Sequence, residues 1–260
     1  MSLEVSELSY RYDERKILNN ISLYLQFGEI TCLIGPNGVG KTTLMRCMLR
    51  LLTNYEGQIR IEGKDTKEFS PKKLAQKMAY IPQLHTPVFN TSILDMTMMG
   101  TIASLPGFAS PKEKQKKVAL NALEKMGLLH LRDRGFMQTS GGERQLTLIA
   151  RALAQQAKIL IMDEPTANLD YGNRFRVLEQ VKELAKEGYC IVMTTHHIDE
   201  VLLYAHRAVA LCEGSKIADG RPKEVVDASL IQRLYDAEVE MIDVRDGEVR
   251  FCIPKKVEGK

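Results

Sequence analysis

Over the first thirty positions apolar and polar residues alternate with a period of two, the pattern of half-buried strands. Ile21, Leu23 and Leu25 share one face, and Gly28 breaks the run. Residues 29–34 are short and mostly apolar, which predicts a strand running into a glycine-rich loop. From 41 to 52 the spacing becomes helical, and Leu44, Met45, Met48, Leu51 and Leu52 are the expected buried stripe. Further strands are expected at 57–61 and 79–81. Between about 88 and 157 the pattern is helical and rich in Met, Leu and Lys. There Ser110-Pro111-Lys112-Glu113 has the form of a capping box with Pro at the first helical position, and Gly127 supplies a stop. Strands resume at 159–162, 190–195 and 209–211. The tail from about Arg221 differs again: residues 239–244 and 248–251 flank Asp246-Gly247, a hairpin turn pattern, and the tail reads as a structural cap.

Composition narrows the class only a little. Hydrophobic residues at 44% and charged ones at 27% are ordinary globular values, and 260 residues suffice for a substantial core. A net charge of +3 is too small to argue for a nucleic-acid partner, and the basic run from Lys112 to Lys117 reads as a solvated helix face. Five scattered cysteines without a Cys-x-x-Cys pair point to a reducing cytoplasm rather than to disulfides or zinc. The N-terminus lacks the basic start and apolar stretch of a signal peptide. No window approaches the ~20 apolar residues that cross a bilayer, so work at a membrane calls for another subunit as anchor.

The chemistry is carried by a few motifs. Gly35-Pro36-Asn37-Gly38-Val39-Gly40-Lys41-Thr42-Thr43 fits G-x-x-x-x-G-K-[ST] between an expected strand and helix, the context of a phosphate-binding loop. Its glycines let backbone N–H groups turn toward phosphate oxygens, Lys41 can reach the β- and γ-phosphates, and the Thr42 hydroxyl suits Mg²⁺. The strand at 159–162 ends in Asp163-Glu164. Asp163 suits the metal's surroundings, and Glu164 suits polarising a water for attack on the γ-phosphate. His196 follows another strand and can contact the γ-phosphate, whereas His197 reads as a cap or surface residue. Gln83, after the Tyr80-Ile81-Pro82 strand end, can offer an amide oxygen to Mg²⁺. Thr139-Ser140-Gly141-Gly142-Glu143 contains a capping box, so an ordinary helix start explains part of it. Two glycines in the first turn weaken that helix by ~1 kcal/mol each, and bare backbone there makes sense if a second phosphate site is formed.

Together these residues resemble the ATP-binding cassette (ABC) ATPases. Gly35 to Thr43 resembles the Walker A loop, Gln83 the Q-loop, Thr139 to Glu143 the signature, and 159–164 Walker B. Asn168-Leu169-Asp170 resembles the D-loop, His196 the switch histidine, and Tyr12 the adenine-stacking aromatic, with Tyr10 as fallback. The resemblance implies an α/β P-loop NTPase core: a mostly parallel sheet flanked by helices, with an antiparallel N-terminal part and an inserted helical subdomain at about 88–157. It places the ATPase domain at 1–220 and a C-terminal extension, helix plus hairpin, at 221–260. ATP and Mg²⁺ are the implied cofactors. The implied assembly is a head-to-tail dimer in which Ser140, Gly141 and Gly142 complete the partner copy's ATP site, and Asp170 of the D-loop is a further implied nucleotide-site residue.

The finer resemblance is to importer ATPases for iron-siderophores, haem, cobalamin and molybdate-like anions. It rests on residues 30–38, 74–83 and Thr194-Thr195-His196-His197, and on Leu234-Tyr235 in the tail. It implies permease subunits, indirectly an extracytoplasmic binding protein, and a peripheral place at the cytoplasmic membrane face. An exporter ATPase or a soluble non-transport cassette protein is the alternative. Two departures stand out: Thr139 replaces Leu and Glu143 replaces Gln in the usual Leu-Ser-Gly-Gly-Gln. Met96, Met98 and Met99 after the Q-loop suit either the surface that docks a permease helix or the insert's own core.

Overall fold

The computed structural model describes residues 2–83, 90–105, 112–246 and 249–255. The alternating N-terminal segment forms β1 (Ser2–Tyr12) and β2 (Arg15–Gln26), paired antiparallel with Leu3 opposite Leu25 and Val5 opposite Leu23. Next come β3 (Ile30–Ile34), buried at every position, and α1 (Lys41–Met48). With β4 (Tyr55–Ile61) and β5 (Lys64–Asp65) the first two strands make a four-stranded antiparallel sheet, ordered β2-β1-β4-β5. Then follow α2 (Pro71–Ala75), β6 (Met78–Ile81), α3 (Ile93–Met98), α4 (Glu113–Lys125), α5 (Gly141–Ala154), β7 (Ile159–Met162) and α6 (Tyr171–Lys186). The chain continues through β8 (Cys190–Thr194), α7 (Ile198–Tyr204), β9 (Arg207–Cys212), β10 (Ser215–Gly220), α8 (Pro222–Val225), α9 (Ala228–Tyr235) and the hairpin β11 (Val239–Val244) and β12 (Val249–Pro254). The second sheet has the order β10-β9-β3-β8-β7-β6 and is parallel except at its β10 edge.

Because side chains alternate across a strand, a doubly covered sheet serves two cores. Ile159 and Ile161 of β7 face α1 and the antiparallel sheet, packing in a cluster with Leu44, Met45, Met48, Leu3 and Ile21. Leu160 and Met162 face the other way, into a cluster with Ile149, Val177, Val181 and Phe136. That second cluster also takes in Ile93, Met96 and Leu123, so α3, α4 and α5 share the sheet's core. The C-terminal hairpin joins the same cluster through Val239, Met241 and Cys252.

Three local expectations need correction. Helix α1 stops at Met48 rather than running to Leu52, because Arg50 turns left-handed (φ 55°) and its guanidinium donates to the Thr66 and Phe69 carbonyls. Leu51 is therefore 62% exposed instead of buried. Helix α4 begins at Glu113, later than the Ser110-Pro111 pattern predicts, and is N-capped at Lys112, whose N–H donates to Gln115 Oε1. Ser110, Pro111, Val88 at the expected start of the insert, and Gly247 and Glu248 in the hairpin lie outside the described residues. Gly127 does end α4, with φ +71°.

A close crossing joins the helical segment to the core. In the 3-10 turn Met99–Ser104, Gly100 lies so near α5 that a Cβ there would overlap the Arg151 carbonyl. Gly100→Ala should destabilise the chain by about 1–3 kcal/mol, as backbone cannot yield the way a side chain can. Equilibrium urea unfolding checks this, and an unchanged midpoint would contradict the packing.

Candidate functional site

Four neighbouring parallel strands, β3, β8, β7 and β6, end on one edge of the sheet, where the crevice beyond strand carboxyl ends forms a ligand site. They deliver the glycine-rich loop, Thr194 to His196, Asp163-Glu164 and Gln83 to the same place. Gly35, Gly38 and Gly40 all have positive φ, at 142°, 77° and 110°. A Cβ on Gly40 would crowd Leu18 and the Ile17 carbonyl, whereas Gly38 faces open space. Val39 is buried and anchors the loop from below, Pro36 is half-buried, and Asn37 and Gly38 are exposed. Lys41 is 7% exposed and curls back over the loop, its Nζ donating to Gly35 O at 2.6 Å and Pro36 O at 3.0 Å. Burial lowers the Lys41 pKa, against the opposing pull of Glu164 and Asp163. The Thr43 side chain joins none of these hydrogen bonds.

Asp163 is the meeting point of the edge. Its Oδ2 accepts from Thr42 Oγ1 at 3.0 Å and from the Tyr80 hydroxyl at 3.4 Å, and its Oδ1 accepts from Thr194 Oγ1 at 2.8 Å. Burial first, and then the Asp163 charge, pushes the Tyr80 phenol up to about 12, so it stays a donor. Glu164 stands in a left-handed conformation (φ 45°), which costs a non-glycine residue roughly 1–2 kcal/mol. Its N–H donates to Thr194 Oγ1 at 2.8 Å. The resulting turn aims the carboxylate at the cleft. Oε1 lies 2.5 Å from His196 Nε2, and Oε2 accepts from Gln83 Nε2 at 2.7 Å. His197 is exposed. The structure thus brings together Lys41, Thr42, Gln83, Asp163, Glu164 and His196. Thr42 and Asp163 form a hard oxygen pair of the kind Mg²⁺ prefers. Tyr12 is 43% exposed, its ring set edge-on against Tyr10 with centroids 4.9 Å apart.

Ser140, Gly141, Gly142 and Asp170 are not brought to this cluster: among the described residues no hydrogen bond links them to the phosphate loop. The capping box is formed, with Ser140 Oγ accepting from Glu143 N–H at 3.2 Å and Glu143 Oε2 accepting from Ser140 N–H at 2.8 Å. That second bond, chiefly, lowers the Glu143 pKa. Gly142 also has a reason within the chain, since a Cβ there would overlap the Asn173 side-chain amide. Asp170 caps α6, accepting from Asn173 N–H at 2.8 Å and from Asn173 Nδ2 at 2.7 Å. Thr139, the departure from Leu, is buried and donates to Phe136 O at 2.7 Å. Asn168 takes φ 60°, a conformation asparagine tolerates well.

The chain is similar to known proteins over most of its length. Residues 18–167 match the protein family described as ABC transporter. An ABC transporter ATP-binding protein of Haemophilus influenzae is 38% identical over 242 residues, covering 93% of this chain and 92% of that protein. The ferric enterobactin transport ATP-binding protein of Escherichia coli is 32% identical over 93% of this chain and 89% of its own length. Among solved structures, a metal-chelate type ABC transporter in an inward-facing conformation superposes with a TM-score of 0.86 at 28% identity, covering 98% of both chains.

Sequence reasoning passed over several polar residues that hold the site together. Thr194 and Tyr80 orient Asp163, as above. Glu200, on α7, is 2% exposed; its Oε2 accepts from Thr166 Oγ1 at 3.0 Å and Thr195 Oγ1 at 2.6 Å, and its Oε1 from Arg174 Nε and Nη2 at 3.1 and 2.9 Å. One carboxylate therefore ties the segment after Glu164, the segment before His196 and helix α6. The only signal available was an acid four residues beyond His196, which a surface helix would also show. Glu200→Gln removes the nearer of two carboxylates facing Arg174, leaving it Asp199 at 3.8 Å, and should destabilise the chain by about 2 kcal/mol. Thr195→Ala should cost about 1 kcal/mol. Urea unfolding of the two variants tests that ranking.

Proposed function

Since the chain belongs to the ABC transporter family, which implies ATP binding and hydrolysis, we propose that it powers a membrane importer of iron-siderophores or related metal chelates. The observation that carries the catalytic part is the Glu164 carboxylate, held between His196 and Gln83 beside the Thr42–Asp163 pair and Lys41. Lys41 exchanges its Gly35 and Pro36 carbonyl acceptors for phosphate oxygens. The loop amides and the start of α1 take the remaining phosphate charge. Glu164 accepts a proton from the attacking water, and His196 steadies Glu164 and contacts the γ-phosphate. Thr42, Gln83 and Asp163 would hold Mg²⁺, which when bound neutralises charge on the phosphate oxygens. Tyr12 presents its exposed ring to the adenine.

The iron-chelate cargo is supported by the relatives, among them a probable iron chelatin transport ATP-binding protein of Helicobacter pylori, 35% identical over 93% of this chain and 96% of its own length. Among the described residues no helix is long and apolar enough to cross a membrane, which fits a peripheral subunit at the cytoplasmic face. Docking to permease subunits is supported by an apolar groove of about 620 Å³ lined by Leu49, Leu51, Leu74, Met78, Met99 and Arg151. The methionines divide accordingly: Met96 is buried in the core, while Met99 is 44% exposed at the groove. An extracytoplasmic binding protein completes the proposed system. We also retain 1–220 as the ATPase domain with its helical insert at about 88–157, and 221–260 as the extension.

A second copy of the chain completes the site in this reading. Ser140 is exposed and unconnected to its own phosphate loop, so Ser140, Gly141, Gly142 and Asp170 serve the partner copy's ATP. Glu164→Gln should bind ATP, slow hydrolysis by about 10²-fold or more, and accumulate as an ATP-dependent dimer in size-exclusion chromatography; normal turnover would remove Glu164 from its role. Mixing Ser140→Arg chains with Lys41→Ala chains should restore hydrolysis above either parent, because one composite site stays intact. A mixture no more active than its parents would rule out sharing between copies.

A further inference from the structure

Leu234-Tyr235 is the tail motif that the proposed chemistry leaves without a task. Helix α9, N-capped by Asp227 through the Leu230 N–H at 2.7 Å, carries Tyr235 at its last position. Within the tail β11 packs on α9, and β12 packs on α7, the helix that follows His196. Leu234 is buried, and Tyr235 packs half-buried against the same core. Burial raises the Tyr235 pKa, keeping the phenol neutral.

The Tyr235 hydroxyl oxygen accepts the Gly35 N–H at 3.1 Å, across 200 positions of sequence. Gly35 lies just past the last ladder pairs of β3, Leu33 with Thr194 and Ile34 with Ala210, where the chain leaves the sheet for the loop. It is buried at φ 142°, and a Cβ would overlap the Leu211 carbonyl. The carbonyl of this same residue accepts the Lys41 ammonium at 2.6 Å. One residue thus has its amide held by the tail and its oxygen held by the phosphate-binding lysine.

We propose that Tyr235 is a positioning residue of the ATP site: its hydroxyl holds the start of the phosphate loop, and through Gly35 it sets the resting place of Lys41. The extension is then a working part of the nucleotide site and not only a cap. This inference rests on the ATP-binding reading above.

Tyr235→Phe, made in the full chain, keeps the ring and its packing and removes only the oxygen. Without nucleotide, amide exchange at Gly35, followed by NMR on the ¹⁵N-labelled protein, should accelerate about tenfold or more. The Kd for ATP without metal should rise roughly three- to tenfold, the effect of one hydrogen bond, and KM should rise by more than kcat falls. A lower melting temperature with unchanged Gly35 exchange or unchanged Kd would make Tyr235 a packing residue only and overturn the proposal. If the variant does not fold, the unmodified chain still decides: Gly35 must exchange much more slowly than exposed Gly38, and equal rates overturn it. Slow Gly35 exchange in an unmodified chain that binds no ATP would sink the functional reading while leaving the contact intact, so the two failures are distinguishable.

Discussion

The convergence on the Asp163 carboxylate is the constraint around which the site is built. Three elements donate to it: Thr42 from the first turn of α1, Tyr80 from β6 and Thr194 from β8. A buried carboxylate demands such partners, since leaving it unpaired would cost several kcal/mol. Satisfying it pins the phosphate loop's helix to the ends of two neighbouring strands. The residues proposed to handle phosphate then follow at fixed offsets: Lys41 one residue before Thr42, Glu164 one residue after Asp163, and His196 two residues after Thr194.

Strain and polarity are placed together at that edge. Glu164 adopts a left-handed backbone, and the Thr194 hydroxyl that receives its N–H also donates to Asp163. One threonine therefore stabilises the turn and orients the acid next to it. Glu200 does the equivalent work one layer back, joining Thr166 to Thr195 and so the segment after Glu164 to the one before His196. Through Arg174 the same carboxylate is also bonded to α6.

The signature segment obeys a different logic. Its capping box is satisfied within its own helix, and Gly142 is pressed against Asn173, whose side chain is held by Asp170. The pentapeptide and the D-loop thus form one packed unit at the junction of α5 and α6. Glycine there serves close packing within the chain as well as any approach by phosphate.

Much of this was legible in the linear chain, for identifiable reasons. A phosphate loop needs glycine at left-handed positions and Lys-Thr at the helix start, so Gly35 to Thr43 could be read directly; the alternation of β1 and β2 follows from burial on one face of a sheet, and the unbroken apolar run of β7 from burial on both. Local chemistry also located Asp163, Glu164 and the Ser140–Glu143 cap. It misjudged the end of α1, because the stop comes from Arg50 reaching carbonyls of a later segment. The partners of Asp163, the Glu200 bridge and the Tyr235 hydroxyl on Gly35 were invisible for the same cause: each includes a bond between groups 31 to 200 positions apart. The sequence by itself determined which backbone conformations and reactive groups were possible. Only the tertiary structure decided which distant hydroxyls and carboxylates meet, because hydrogen bonds act over about 3 Å and the sheet order alone sets which strand ends come that close.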